Sequence, residues 1–341
     1  MNNLNTTKRN YYLDNLKFVL ITLVVVGHFA MKMTYVDSIK YIMYFIYLFH
    51  MPCFIFINGF LAKKMNSGGK LRVDKILITL WLYLIFKLGT ALLSYVLGQE
   101  TQLRLFKENS APWYLLALTI WYLSVPFLER INVRYLIPGS FLIGLIAGYI
   151  NSLGGIMALS RVFAFFPFFI IGFSLPAKGL EEFLDKKRRL PAVLVLITVL
   201  ILLVIFFKQL KPFLEMVYGS TYKQALEELA PYGALVRAAW YVLAVVTSMA
   251  VMVLVPRGRL FFTVLGERTM QVYMIHIWVR NGLLYVGFFN MLKEKDSYLS
   301  LLVLLGSIVL TFLLSNSWFK KLYDILMSPK LVVKILNKTE E

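Results

Sequence analysis

Leu13-Asp-Asn-Leu-Lys-Phe-Val-Leu-Ile-Thr-Leu-Val-Val-Val-Gly-His-Phe-Ala30 decides how the rest of the chain is read. Eighteen residues of α-helix rise about 27 Å, close to the ~30 Å hydrocarbon thickness of a bilayer. Beyond Asp14 at its start, two ionisable side chains stand in this greasy stretch, Lys17 and His28. A charge at the bilayer centre costs about 2.5–3.5 kcal/mol even on the lenient insertion scale, so such residues suggest a site. An eleven-residue step turns a helix through about 1100°, which leaves both side chains within ~20° of one face and ~16 Å apart along the axis. The other two histidines, His50 and His276, also lie inside apolar runs.

The whole chain follows the same rule. It has 341 residues, 59% of them hydrophobic and 16% charged, with a mean hydropathy of +0.71. A soluble protein of this length has no way to hide that much apolar surface, so the fold class expected is all-α, a polytopic membrane protein. The single cysteine, Cys53, excludes an internal disulfide framework, and no Cys/His cluster has metal-ligand spacing, so no metal is expected. The net charge of +18 is scattered between apolar spans. Cytoplasmic-loop bias explains it better than nucleic-acid binding. The first apolar run lacks a small-residue cleavage site and carries the Lys/His pair, so it reads as a retained helix.

Ten spans are expected, near residues 14–31, 41–62, 76–97, 112–129, 135–151, 157–176, 191–211, 231–255, 268–289 and 299–318. With both termini cytoplasmic, the inner segments carry 22 Lys and Arg residues and the outer ones nine. That asymmetry supports the orientation. The inner set includes Lys8, Arg9, Lys330, Lys334 and Lys338, and the basic tail from Phe319 onward suits an anionic inner leaflet. No loop is long enough for a soluble domain, so one membrane domain is expected over 1–341, without an appended soluble domain.

His28 is the leading chemical candidate, because neutral imidazole is tolerable in a low-dielectric site and titrates near working pH. The competing reading is a packing histidine bonded to a neighbouring helix. Asp14 and Lys17, three apart, form either a local ion pair or a contact for an anionic cytosolic donor. His50-Met-Pro-Cys-Phe-Ile-Phe-Ile-Asn-Gly-Phe60 puts a proline and a glycine in the second span. Pro52 frees a backbone carbonyl four residues earlier and should kink the helix, either lining a cavity or leaving His50 to satisfy the freed backbone. Arg161, opening Ser160-Arg-Val-Phe-Ala-Phe-Phe-Pro-Phe-Phe-Ile-Ile-Gly172, must reach water, a carboxylate or an anionic ligand. For Arg237 and Arg280, snorkelling to the interface is the expectation. His276 follows Arg268 by eight residues, ~12 Å into its span. The run Lys70-Leu-Arg72-Val-Asp-Lys75 reads as a cytoplasmic loop that also suits phosphates. Phosphate-loop, dinucleotide and nucleophile-elbow motifs are all missing from the sequence. Any group donor must therefore be held by scattered cations and helix ends.

Taken together these residues resemble acyltransferase family 3, integral membrane proteins, and especially its members similar to fucose 4-O-acetylases. The family's first-helix signature is Arg or Lys, ten residues, then His, with an Asp three before the cation: here Asp14, Lys17 and His28. The second-span pattern His-Met-Pro-x-Phe-Phe-x-x-Ser-Gly matches His50, Met51, Pro52, Phe54 and Gly59, with Asn58 in place of Ser. Arg72 and Lys75 stand for the family's Arg-x-x-Arg, and the stretches around Arg161 and from Gly266 to His276 resemble the fucose-acetylase-like subgroup. The resemblance covers essentially the whole chain. It implies acetyl transfer from cytosolic acetyl-CoA to a hydroxyl of a cell-surface or lipid-linked glycan, at the cell's inner membrane, with glycan-synthesis proteins as partners. His28 would be general base or transient acyl carrier, with Asp14 and Lys17 beside it. Lys17, Arg72 and Lys75 would hold the CoA phosphates, and His50, Asn58, Arg161 and His276 would line the acceptor cavity. The rival readings are a glycan exporter or flippase, and a lipid-embedded scaffold.

Overall fold

Asn10 opens the first helix, α1 (Tyr11–Ala30), by accepting a hydrogen bond from the backbone N–H of Leu13 at 3.3 Å. The computed structural model describes residues 10–326 apart from 68, 102, 109 and 296. The basic residues Lys8, Arg9, Lys330, Lys334 and Lys338 lie outside the described residues. The chain continues through α2 (Asp37–Ala62), α3 (Val73–Val96), α4 (Trp113–Leu128), α5 (Val133–Ala147), α6 (Leu159–Ser174), α7 (Ala177–Phe183) and α8 (Arg189–Ile205). Then come the short α9 (Phe207–Leu210) and α10 (Tyr222–Leu226), α11 (Gly233–Leu254), α12 (Thr269–Tyr285), α13 (Phe288–Lys293), α14 (Ser297–Leu314) and α15 (Ser317–Leu326). A two-residue antiparallel ladder, Asn66–Ser67 with Lys70–Leu71, ties the connection before α3.

Every expected span contains one of these helices. Among the described residues, six helices are long and apolar enough to cross a membrane: α1, α2, α3, α14 and the helical stretches Lys186–Ile205 and Tyr222–Leu254. A seventh is counted if α6 and α7, which meet at a bend of 100°, form one span. The helices α4 and α5 are apolar but shorter, and α12 is the least apolar of the long helices because Arg280 and Asn281 occupy its far end. The chain is an all-α, multi-pass membrane protein. The connection between the spans expected at 191–211 and 231–255 is folded into α10 and 3-10 turns, and the end of the first of those spans breaks off as the short α9.

Burial separates the helices by role. Two thirds (67%) of the most apolar window of α1 is buried inside the protein, against 11% for the Lys186–Ile205 stretch that contains α8. The exposed side chains of that stretch include Leu190, Leu194, Ile197, Ile201 and Ile205. A face like that is untenable in water and suited to acyl chains. At the centre, α1 packs against α2, α12, α14 and the 263–268 turn, while α2 runs along α6.

The α2–α6 crossing depends on two glycines from the quoted motifs. A Cβ on Gly59 would run into the backbone carbonyl of Phe169, and one on Gly172 into the carbonyl of Phe56. The two backbones thus touch reciprocally, as small residues permit in membrane interfaces. Gly266 does the same for α1, lying against the Asp14 carbonyl. The sequence assigned these glycines to motifs, and the fold uses them to bring α2 against α6 and the 263–268 turn against α1.

Candidate functional site

His28, one turn from the end of α1, faces α12. Its Nδ1 lies 2.9 Å from His276 Nε2, with the two ring planes 9° apart. His276 is fully buried, and its Nδ1 stands 2.7 Å from the carbonyl oxygen of Val272. A carbonyl only accepts, so His276 carries its proton on Nδ1 and, when neutral, offers the Nε2 lone pair. His28 then donates through Nδ1–H, and its Nε2 is left as the unprotonated nitrogen. The hydrogen-bond chain therefore assigns both tautomers, and a nearly coplanar N–H···N contact suits it. His276 orients His28 as a second group orients a catalytic imidazole.

His50 behaves differently. It is buried at 2% exposure, and its Nδ1 donates to the carbonyl of Ile46 at 2.8 Å. The carbonyl that Pro52 frees belongs to Leu48, so the expectation that His50 repairs the proline break is corrected: it bonds one turn down its own helix. The ring of Tyr47 stands between the imidazoles, 4.8 Å from His50 and 6.3 Å from His28 by centroids.

Two chambers meet beside this pair. The wider, about 310 Å³, is lined by His28, His50, Tyr47, Arg161, Trp113, Tyr218, Lys32 and Arg280, among others. The narrower, about 90 Å³, runs from Lys17 past Ile21, Phe54, Asn58 and Met270. Val24, Met51, Tyr114 and Tyr273 line both, so the chambers abut across these four side chains. Val24 lies between Lys17 and His28 on α1, and the pair of chambers follows that helix face. Tyr114 and Tyr273 are held in place by hydrogen bonds, Asn58 Nδ2 donating to the Tyr114 hydroxyl and Tyr273 donating to the Ala111 carbonyl.

At the narrow end Lys17 Nζ pairs with Asp14 at 2.8 Å, so the local ion pair of the sequence reading exists, with Lys17 also lining the chamber. Arg72 and Lys75, expected beside it, line neither chamber. Arg72 forms a forked, exposed pair with Asp74 at 3.0 and 2.7 Å.

At the wide end a strap formed by the α3–α4 connection closes over Arg161. Its anchor is Glu108, 2% exposed, which accepts from Lys87 Nζ at 3.0 Å and from the Ser110 N–H and hydroxyl at 2.8 and 2.9 Å. The strap is pinned to the turn before α6 by Met157 N–H donating to the Phe106 carbonyl at 2.7 Å. Met157 and Ala158 both hold left-handed backbone, φ 49° and 53°. For side chains with a Cβ this is strained, and it aims α6 so that Arg161 lies 5.6 Å over the Trp113 ring.

The snorkelling expected of Arg237 and Arg280 is overturned. Arg237 is 0% exposed, stacks over the Tyr222 ring at 4.5 Å and donates to the carbonyls of Gly144 and Ser220, so it is a core strut. Arg280 is half-buried and lines the wide chamber. The sequence reading also passed over Lys32, Tyr47, Tyr114 and Tyr273. The signal available for Lys32 and Arg280 was spacing, since each follows a histidine by four residues. Among the described residues no group of three or more His, Cys, Asp or Glu side chains is placed to hold a metal.

Comparison with known proteins agrees with this architecture. Residues 10–316 match the model of acyltransferase family 3, described as an acyltransferase domain. Nodulation protein NolL of Mesorhizobium japonicum (strain LMG 29417 / CECT 9101 / MAFF 303099) is similar, 31% identical over 144 residues, which is 38% of this chain and 37% of that protein. The chain thus spans little more than a third of the length of the curated relative it matches. No solved structure matches. With a family model covering nearly all of the described residues, the chain belongs to acyltransferase family 3 and carries its acyltransferase domain over residues 10–316.

Proposed function

We propose that the protein is an O-acetyltransferase of the inner membrane, with ten spans and both termini cytoplasmic, of the fucose 4-O-acetylase-like type. It takes the acetyl group of cytosolic acetyl-CoA at the Lys17 end and delivers it to a glycan hydroxyl held in the wide chamber. The observation that carries this reading is the free Nε2 of His28, fixed by His276 in the wall of the wide chamber, one turn along α1 from Val24, where the two chambers abut. A narrow slot with a cation at its mouth suits a slender acyl-bearing arm that trails phosphates, and Lys17 meets them there. Arg72 and Lys75, on the same expected face, add positive charge to the approach. The wide chamber suits a sugar.

In the version the geometry favours, His28 Nε2 takes the proton of the acceptor hydroxyl as its oxygen attacks the thioester carbonyl. The C–S bond breaks, the sugar C–O bond forms, and the imidazolium returns the proton to the leaving thiolate. His276, keeping its own proton on Nδ1, holds His28 in the required tautomer. Arg161 at the chamber wall stabilises the developing oxyanion. Because the chambers abut, both substrates reach one nitrogen together and no acyl-histidine is required. A histidine acyl carrier uses the same nitrogen and is the alternative chemistry.

Membranes carrying His28→Ala, assayed with labelled acetyl-CoA, are expected to lose about 10²–10⁴-fold of transfer, the usual worth of a positioned base. Normal O-acetylation by a folded His28→Ala protein would sink the assignment. Absence of acetyl-CoA-dependent labelling with the wild type would favour a glycan exporter.

A further inference from the structure

Two matching pairs stand side by side at the wide end. On α1 and just beyond it, His28 is followed four residues later by Lys32; on α12, His276 is followed four residues later by Arg280. Residues four apart share a helix face about one turn, ~6 Å, apart. The hydrogen bond between the histidines therefore sets the two cations next to each other, one turn further along the same chamber.

Like charges in a partly buried site repel, and among the described residues nothing neutralises this pair. Lys32 and Arg280 are each half-buried. Among the described residues, no carboxylate lies within ion-pair distance of either. Arg280 spends its Nε and Nη2 on the neutral Asn281 Oδ1, at 3.2 and 2.6 Å. The described lining of the wide chamber contains no Asp or Glu, and the nearby Glu108 is committed to Lys87 and Ser110. Partial burial, and then the charge of Arg280, push the Lys32 ammonium below its usual range. A fold that keeps two cations in this state gains nothing from them unless an anion arrives. A second polar group waits in the same chamber. Tyr47 is 6% exposed, lines the chamber, and its buried hydroxyl has no hydrogen-bond partner among the described residues. A buried hydroxyl left unpaired is costly, and a bound acceptor would offset that cost.

We infer that Lys32, Arg280 and the Tyr47 hydroxyl form an anion subsite for the acceptor, which carries a phosphate or carboxylate group close to the hydroxyl it presents to His28. The inference rests on the proposed transferase reading and sharpens it. Four residues of helix and turn, a rise of ~6 Å, separate each cation from its histidine, and both cations line the chamber that holds His28. The anionic group is therefore on the acylated sugar itself or on its immediate neighbour, either as a sugar carboxylate or as the phosphate that links the sugar to lipid.

The test uses the full-length protein in lipid nanodiscs and three acceptor probes: an alkyl glucoside, the matching alkyl glucuronide, and a short polyprenyl-phosphate-linked glucose. Thermal stabilisation by each probe reads binding without requiring turnover. Labelled acetyl-CoA reads transfer. Stabilisation and kcat/KM are expected to favour an anionic probe over the neutral one by about tenfold or more, the usual scale of a charge-assisted contact. The better anionic probe identifies carboxylate or phosphate as the source. In the K32Q/R280Q double variant the anionic-to-neutral ratio is expected to fall to near one, and R280K is expected to restore part of it. Because the ratio is taken within one protein, partial misfolding does not imitate the result. Equal response to all three probes, absence of stabilisation by either anionic probe, or a preference that survives in K32Q/R280Q would overturn the subsite. Anion-selective stabilisation without any acetyl transfer would retain the subsite and overturn the transferase reading instead.

Discussion

The two chambers differ in what they require of a ligand. The narrow one is a slot walled by Ile21, Val24, Phe54, Ile57 and Leu118, with Lys17 at its mouth. It selects by width and by one charge. The wide one is walled by imidazoles, phenols and cations, and its polar groups are aimed by other parts of the fold: His28 by His276, Arg161 by the strained turn before α6. The slot demands little orientation, as suits a long arm that must slide. The wide chamber fixes atoms, as suits a reaction. On the proposed reading, the comparison teaches that positioning residues collect where bonds would change, while the delivery route is left apolar.

The first way to break the comparison is His28→Gln. It should abolish base function, with kcat lowered about 10²–10⁴-fold and acetyl-CoA binding nearly unchanged, read by steady-state kinetics on the folded variant. A large KM change with intact kcat would move His28 from the reaction to the slot. Next is His276→Ala, which removes the acceptor that fixes the His28 tautomer. Transfer should drop about 10–100-fold, the scale of losing a supporting partner, and His276→Gln should recover part because its side-chain oxygen still accepts. Equal rates in both variants would reduce His276 to packing.

Much of the fold was legible because apolar runs of span length have few other uses: all ten expected segments contain a helix. The boundaries were not, since a helix end such as Asp37 follows a turn outside the apolar run, in which the Val36 N–H donates to the Met33 carbonyl. The folding of the connection after residue 211 was missed for the same reason, its 3-10 turns having no periodic signature. In the site, His28, His50 and Arg161 were found because ionisable groups in apolar runs stand out. The partnership of His28 with His276 spans 248 positions, and no local pattern predicts which helices touch. Gly59, Gly172 and Gly266 carried that information as motif residues, but only the crossing geometry showed what they were for. Arg237 misled for a related reason. Near a span end, snorkelling and burial leave the same trace in sequence, and the carbonyls of Gly144 and Ser220 decided between them.

Smaller effects sharpen the same contrast. Lys17→Gln should raise the KM for acetyl-CoA several-fold to about tenfold with little change in kcat, the mark of an interaction made equally in ground and transition states. A matching loss in kcat would place Lys17 in the chemistry. The smallest effect concerns stability. The Lys32 ammonium is disfavoured in the fold, so its folded pKa lies below the unfolded value of 10.5. Between those two values the unfolded chain binds more protons, and stability rises as pH rises through that window. At neutral pH the charge is a net cost, so Lys32→Met should raise the melting temperature slightly while lowering transfer to anionic acceptors. A lower melting temperature at neutral pH would mean that Lys32 has a stabilising partner.

The central claim is that donor and acceptor reach His28 from opposite ends of one face of α1. Sealed vesicles of uniform orientation test it, with the orientation read by labelling cysteines introduced near Lys64 or Lys295, since the native Cys53 is buried. Membrane-impermeant acetyl-CoA supplied at the Lys17 face, with acceptor at the Lys32 face, should sustain transfer, and the reversed arrangement should give none. Transfer that requires both substrates on the same face would contradict the account.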